Sequence, residues 1–236
     1  TGSIAARLKT VRDRIDAAAI RANRQPGEVK LLAVSKTKPA EMVVEAILAG
    51  HYLFGENRFQ EAPGKITTVR EVIGETARPV EWHFIGHLQS NKVRKVLEWF
   101  DLIESVDSQK LLNRIDQIAG ELEITARCLL QINISGAESQ YGIDLEELDS
   151  ILEQVSNLDC VRVEGLMAIG PLTSDEDVLR SAYGLVRQKA ELIRKQKIRN
   201  VSMDTLSLGM SGDFEIAIEE GATIVRIGTM IFGSRE

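Results

Sequence analysis

The chain has 236 residues, 44% of them hydrophobic and 27% charged, with a formal net charge of −6; these are the proportions of a soluble globular protein with ample length for a large core. The acidic balance weighs against a general nucleic-acid partner, whose phosphates need a basic face. No apolar stretch approaches the roughly 20 residues of a membrane-spanning helix.

Thr1-Gly2-Ser3 reads as the remnant of an expression tag, which leaves residues 4–236 as one expected domain. Arg7, Lys9, Arg12 and Arg14 interrupt any apolar leader, so no signal peptide is expected and the expected location is cytoplasmic. Residues 4–23 predict an amphipathic helix, because Ile4, Leu8, Val11, Ile15 and Ala19 recur along one face. After Gln25-Pro26-Gly27 short apolar runs follow at 29–35, 52–54, 81–85, 101–105, 126–133, 161–167, 202–207 and 223–227. Helical patterns lie between them, with start signals at Pro39, Ser90-Asn91, Asp107-Ser108, Asp144 and Ser174-Asp175. Strands that alternate with helices pair in parallel, since each return crossover uses a helix. Eight such units in about 200 residues predict an α/β fold, a single TIM-type (β/α)₈ barrel with an extra N-terminal helix. An open doubly wound sheet is the alternative. Cys128 and Cys160 fall in separate apolar runs and read as reduced core thiols. The glycosylation-like patterns at Asn133-Ile-Ser135 and Asn200-Val-Ser202 read as chance matches.

Active sites of this fold gather at the C-terminal ends of the strands. The polar residues that close the apolar runs should therefore meet at one mouth: Lys36, Glu56-Asn57, His87, Glu104-Ser105, Asn133, Ser207 to Ser211, and Arg226 with Gly228-Thr229. Lys36 follows Leu32 and Val34 at the two-residue period and shares their face. Inside a barrel mouth its amine would be partly desolvated, which disfavours the ammonium and suits a Schiff-base lysine. Lys38 is the weaker candidate, because Pro39 starts a helix and turns the chain outward. The loops at Ser207-Leu-Gly-Met-Ser-Gly-Asp213 and Arg226-Ile-Gly-Thr229 follow the last two strands, with a helix expected to open near Ser211. Phosphate sites of these barrels use the loops after strands seven and eight. His83 and His87 lack a cysteine or acidic third ligand, so no metal is expected, and hydrogen bonding at the mouth is the expected role. Glu56 reads as a helix-start acid, and Lys92-Val-Arg-Lys95 as a solvated helix face.

A lysine on strand one and phosphate loops on strands seven and eight suit pyridoxal 5′-phosphate, whose aldehyde and phosphate match them. Arg226 is then expected at the pyridine nitrogen, where an arginine hands over no proton and leaves a weak electron sink.

Six segments carry a family resemblance: Ala33-Val-Ser-Lys-Thr-Lys38, Phe54-Gly-Glu-Asn-Arg58, Trp82-His-Phe-Ile-Gly-His-Leu-Gln-Ser-Asn-Lys92, Gly165-Leu-Met-Ala168, Gly209-Met-Ser211 and Val225-Arg-Ile-Gly-Thr229. Together they resemble the pyridoxal-phosphate homeostasis proteins, single-barrel relatives of the N-terminal domain of alanine racemase. The resemblance implies Lys36 as the covalent cofactor lysine, Ser211, Gly228 and Thr229 around the phosphate, Arg226 near the ring nitrogen, and Asn57 and Met210 along the cofactor. His83 and Ser207 are expected behind these residues. Leu208 and Gly212 depart from the family pattern without removing a cofactor ligand. The implied role is intracellular vitamin B6 homeostasis and amino-acid and keto-acid balance, without robust catalysis. PLP-dependent apo-enzymes are the expected partners and a monomer the expected state. The alternatives are a PLP-dependent racemase, which would need a second acid/base group that Tyr52, Tyr141 and Tyr183 have no clear claim to supply, and a Schiff-base aldolase.

Overall fold

The alternation of apolar runs and helices closes into a barrel of eight parallel strands in sequential order. The computed structural model describes residues 2–74, 78–134 and 141–234. The strands are β1 (Lys30–Val34), β2 (Leu53–Glu56), β3 (Glu81–Phe84), β4 (Leu102–Val106), β5 (Ala126–Ile132), β6 (Val161–Ala168), β7 (Val201–Ser207) and β8 (Ile224–Ile227). Helices α1 (Ile4–Arg21), α2 (Ala40–Leu48), α3 (Ala62–Ile73), α4 (Val93–Trp99) and α5 (Gln109–Glu121) accompany the first half. Helices α6 (Leu148–Val155), α7 (Glu176–Gln196), α8 (Phe214–Glu219) and α9 (Thr229–Phe232) accompany the second. Closure pairs β1 with β8, where Leu32 stands opposite Arg226, and with β2, where Ala33 stands opposite Phe54.

The outward faces of the strands and the inner faces of the helices share one large apolar core that includes Phe54, Trp82, Val93, Ile115, Tyr183 and Phe214. The inward faces hold a small apolar cluster, Leu102, Leu129 and Met167, with Ile169 packed on it. The predicted helix at the N-terminus buries Ile4, Leu8, Val11, Ile15, Ala18 and Ala19; each large side chain there contributes roughly 1.5–3 kcal/mol of burial. Ser3, read above as tag, caps it: its hydroxyl accepts the Ala6 N–H at 3.2 Å. Arg14 and Arg21 of α1 reach Glu215 and Glu219 of α8 at 2.7 and 2.8 Å, which clamps the extra helix against the end of the barrel.

Strand limits differ from expectation where charge enters. β2 runs on to Glu56, whose carboxylate points outward to Lys65 of α3, and β4 to Val106, with Glu104 on its inward face. Both cysteines are free; Cys128 is buried in β5 and Cys160, just before β6, is half-buried. Among the described residues no helix is long and apolar enough to cross a membrane. Ser135 of the first glycosylation-like pattern, like Thr1, lies outside the described residues.

Candidate functional site

Lys36 emerges from a rigid point. The Ser35 N–H donates to Gly55 O at 3.0 Å and its hydroxyl to Glu56 Oε1 at 2.7 Å, while the Lys65 ammonium donates to Ser35 O at 2.8 Å and Glu56 Oε1 at 2.5 Å. All three side chains are buried. Glu56, expected to open a helix, instead ends β2, and its burial raises its pKa against the pull of Lys65. The next residue, Thr37, has φ +62°, a left-handed conformation that is strained for a β-branched side chain. This turn brings Lys38 back to the mouth, where its ammonium donates to Ser234 O at 2.8 Å. The outward direction expected of Lys38 is thereby corrected.

Lys36, Met210, Ser211, Arg226, Gly228 and Thr229 line a single cavity of about 300 Å³, with Val34 and Ile85 as apolar walls and Lys38 beside them. It opens at the C-terminal ends of β1 and β8. The helix expected near Ser211 begins at Phe214, so Ser211 and Gly212 lie in the preceding turn. Asp213 ties that turn: its carboxylate accepts the Met210 N–H at 2.6 Å and the Tyr183 hydroxyl at 2.7 Å. Gly209 makes the turn possible at φ +83°, and a Cβ there would stand 2.6 Å from the Ala217 Cβ. The two loops meet where the Thr229 hydroxyl donates to Ser211 Oγ at 3.2 Å.

Behind this cavity a charged chain runs through the barrel interior. The Arg226 guanidinium is buried and donates through Nη1 to Ser207 O at 2.6 Å and Ser207 Oγ at 2.8 Å, and through Nη2 to Ala168 O at 2.8 Å. The Ser207 hydroxyl in turn donates to Glu104 Oε2 at 2.5 Å. Glu104 Oε1 lies 2.7 Å from His83 Nδ1, and His83 Nε2 lies 3.2 Å from Glu81 Oε1. Burial opposes a charge on His83, but the hydrogen bonds from Glu104 and Glu81 outweigh it and push the imidazole up to about 9. Burial likewise opposes ionised Glu104, yet the His83 hydrogen bond holds its carboxyl below the usual range. Burial alone drives the Arg226 pKa down, with Glu104 opposing.

Asn57 does not line the Lys36 cavity. It borders a smaller cleft of about 140 Å³ with Phe59, Phe84, His87 and Lys92, where its Oδ1 is buried with no hydrogen-bond partner. His87 stacks on Tyr141 with ring centroids 3.9 Å apart and approaches Asp107 at 3.2 Å. Arg94 of the supposed solvated cluster pairs with Glu121. Among the described residues no group of three or more His, Cys, Asp or Glu is placed to hold a metal. A larger cavity of about 390 Å³ lies at the other end of the barrel, lined by Arg12, Lys30, His51, Tyr52 and Arg78; it holds none of the strand-end residues where this fold places chemistry. The pairing of Glu104 with His83 and Ser207 was not foreseen, although each sits inward at the two-residue period of its strand.

Residues 7–236 match the family described as alanine racemase, N-terminal domain, and the barrel with its strand-end lysine is of that class. Within the class, the chain belongs to the pyridoxal phosphate homeostasis protein family. It is 49% identical to the member from Escherichia coli strain K12 over 99% of this chain and 97% of that protein, and 39% identical to the member from Aquifex aeolicus over 98% and 97%. The structure of PipY from Synechococcus elongatus PCC7942 with PLP bound superposes with a TM-score of 0.84 at 38% identity, covering 98% of this chain and all of that one. An alanine racemase from Clostridium difficile shares the fold alone, at 13% identity and a TM-score of 0.71 over 55% of its length.

Proposed function

We propose that this chain holds pyridoxal phosphate through Lys36 and serves vitamin B6 homeostasis and amino-acid and keto-acid balance, with residues 4–236 acting as one cofactor domain. The observation that carries this reading is the gathering of lysine amines, hydroxyls and one guanidinium, among them Lys36, Ser211, Thr229 and Arg226, around a single cavity. The cofactor supplies an aldehyde that takes up a lysine amine and a phosphate that takes up hydroxyl and backbone donors. Lys36, fixed by the Ser35–Glu56–Lys65 cluster, offers the amine. Ser211 and Thr229, already in contact, offer donors to the phosphate, and Gly228 keeps the floor low, since a Cβ there would stand 3.0 Å from Val34 O. Arg226, which lines the same cavity, would meet the ring nitrogen with a charge that is held rather than a proton that is given. Met210 would flank the ring and His83 and Ser207 would support Arg226, whereas Asn57, turned into the neighbouring cleft, falls outside this set.

Tethering, not turnover, is the reading the tyrosines favour. A racemase works with acid/base groups on both faces of the substrate carbon. Here the Tyr183 hydroxyl is engaged by Asp213, Tyr141 lies on His87, and Tyr52 lines the cavity at the opposite end. Among the described residues lining this cavity, the amines left to move a proton are Lys36 and Lys38, both from the end of β1. Met210 and Thr229 are exposed at the rim, so water and acceptor molecules reach the lysine. PLP-dependent apo-enzymes of the cytoplasm are the proposed recipients, and a monomer is the proposed state.

Loading the protein with pyridoxal phosphate, reducing it with borohydride and sequencing the labelled peptide tests the tether; the label is expected on Lys36, and a label of equal yield in Lys36→Ala would overturn the assignment. Incubation with L-alanine in deuterated water tests the second half. Exchange of the α-proton at enzyme-like rates would overturn the tether reading.

A further inference from the structure

The Arg226 guanidinium has only N–H groups to offer, so where Nη1 meets Ser207 Oγ at 2.8 Å the hydroxyl oxygen must accept. Its single proton is therefore directed at Glu104 Oε2, 2.5 Å away. Ser207 thus has no freedom: carboxylate, hydroxyl and guanidinium form a one-way chain of donors. The other carboxylate oxygen is taken by His83 Nδ1 at 2.7 Å, and His83 Nε2 faces Glu81, which Arg127 also holds at 3.1 Å. A ring with a carboxylate at each nitrogen donates from both, which only the imidazolium can do. Glu104 is fully buried, and a buried carboxylate is tolerable only when paired. Its neighbours supply two positive charges, one on each side. The charged groups facing His83 are Glu81 from its own strand and Glu104 from β4; Arg127 holds Glu81 directly, and Arg226 stands beyond Glu104 across the Ser207 hydroxyl.

We propose that Glu104 is the positioning residue of the cofactor site: held by His83 on one side, it fixes Arg226 through the Ser207 hydroxyl and serves as its buried counter-ion. The inference rests on the reading that Arg226 faces the cofactor ring. Removing the Glu104 charge leaves the guanidinium buried without its anion, and it must shift toward the cavity or lose its set direction. Removing the Ser207 hydroxyl breaks the same link but leaves Glu104 and His83 paired. Replacing Ser207 with threonine keeps the hydroxyl and hence the link.

The three changes leave different marks. In Glu104→Gln the amide can serve Ser207 with its oxygen only by turning its NH₂ to His83, which must then present an unprotonated Nδ1. Imidazole NMR of the cofactor-free protein at pH 8 should show His83 as imidazolium in the parent and in Ser207→Ala, and as the neutral ring in Glu104→Gln. Titration with pyridoxal phosphate should show affinity falling about tenfold in both Glu104→Gln and Ser207→Ala, with a shifted absorbance maximum of the bound cofactor, and parent values restored in Ser207→Thr. A neutral His83 in the parent, or parent-like affinity and absorbance in folded Glu104→Gln and Ser207→Ala, would overturn the proposal. Should Glu104→Gln not fold, the Ser207→Ala and Ser207→Thr pair decides by the same readings. If the parent itself bound no cofactor at Lys36, the proposed function would fail, while the His83 measurement would still judge the buried chain on its own.

Discussion

Trp82 and His83 are neighbours on β3, yet they belong to different worlds. Trp82 points outward, is almost fully buried, and packs on Phe54 with ring centroids 5.3 Å apart in the large core between strands and helices. His83 points inward, equally buried, and has a carboxylate at each ring nitrogen. The same alternation separates Leu166 of the outer core from Met167 of the inner cluster. Stability in the outer layer comes from apolar area and close packing, and in the inner layer from matched charges that also set the site. A barrel can divide its strands this way because period two gives each face an independent composition.

The largest effect expected tests whether the two faces are truly separate. Trp82→Ala leaves a void against Phe54 and should cost about 4 kcal/mol in urea unfolding. The absorbance maximum of bound pyridoxal phosphate should not move. A shifted maximum would mean that the outer core also sets the site, and the separation would break down.

A second expectation sharpens the contrast through the histidines. His83 has its pKa raised to about 9, so its contribution to stability is complete below about pH 6.5, the unfolded value, and is lost as pH climbs through 9. His51, outside the barrel, behaves in the opposite way. Its buried ring is driven down to about 4, first by desolvation and also by Arg12, which donates to Nδ1 at 3.2 Å. Its contribution is complete above pH 6.5 and is lost as pH falls toward 4. Each limb spans at most about 3 kcal/mol. Urea unfolding across pH 4.5–9 should therefore show a maximum near 6.5, with the alkaline limb flattened in His83→Gln and the acid limb in His51→Gln. An unchanged alkaline slope in His83→Gln would remove the imidazolium from the interior.

These two layers differ equally in how they show in the sequence. The outer core announces itself: β5 reads Ala-Arg-Cys-Leu-Leu-Gln-Ile, and apolar residues fill its outward face at Ala126, Cys128, Leu130 and Ile132. Eight such runs between helical patterns are enough to place the barrel, and with it Lys36, Arg226 and the two glycine loops. The inner layer hides, because a charged residue inside a four- or five-residue strand looks like the strand's end. Glu104 reads that way, although it lies within β4. Which carboxylate meets which histidine depends on strand register across the barrel, and Glu104 reaches Ser207 over 103 positions of chain. No local pattern carries that distance. Asn57 shows the converse limit: its motif is recognisable, but the turn after β2 directs it into the neighbouring cleft.

The smallest effect concerns the rim, which belongs to neither layer. Thr37 is held at φ +62° between Lys36 and Lys38, with its N–H donating to Glu61 Oε2 at 3.3 Å. Left-handed backbone is costly for a β-branched residue and mild for asparagine, whose short amide tolerates it. Thr37→Asn should therefore raise stability by about 1 kcal/mol, because the strain is removed without the extra chain entropy that glycine would add. Neither the apolar shell nor the charged interior should notice. If the variant were less stable than the parent, the Thr37 side chain would be contributing packing that outweighs its strain. If it were more stable but bound the cofactor faster and released it faster, the strained turn would be what holds the Lys36 amine at its fixed approach to the cavity.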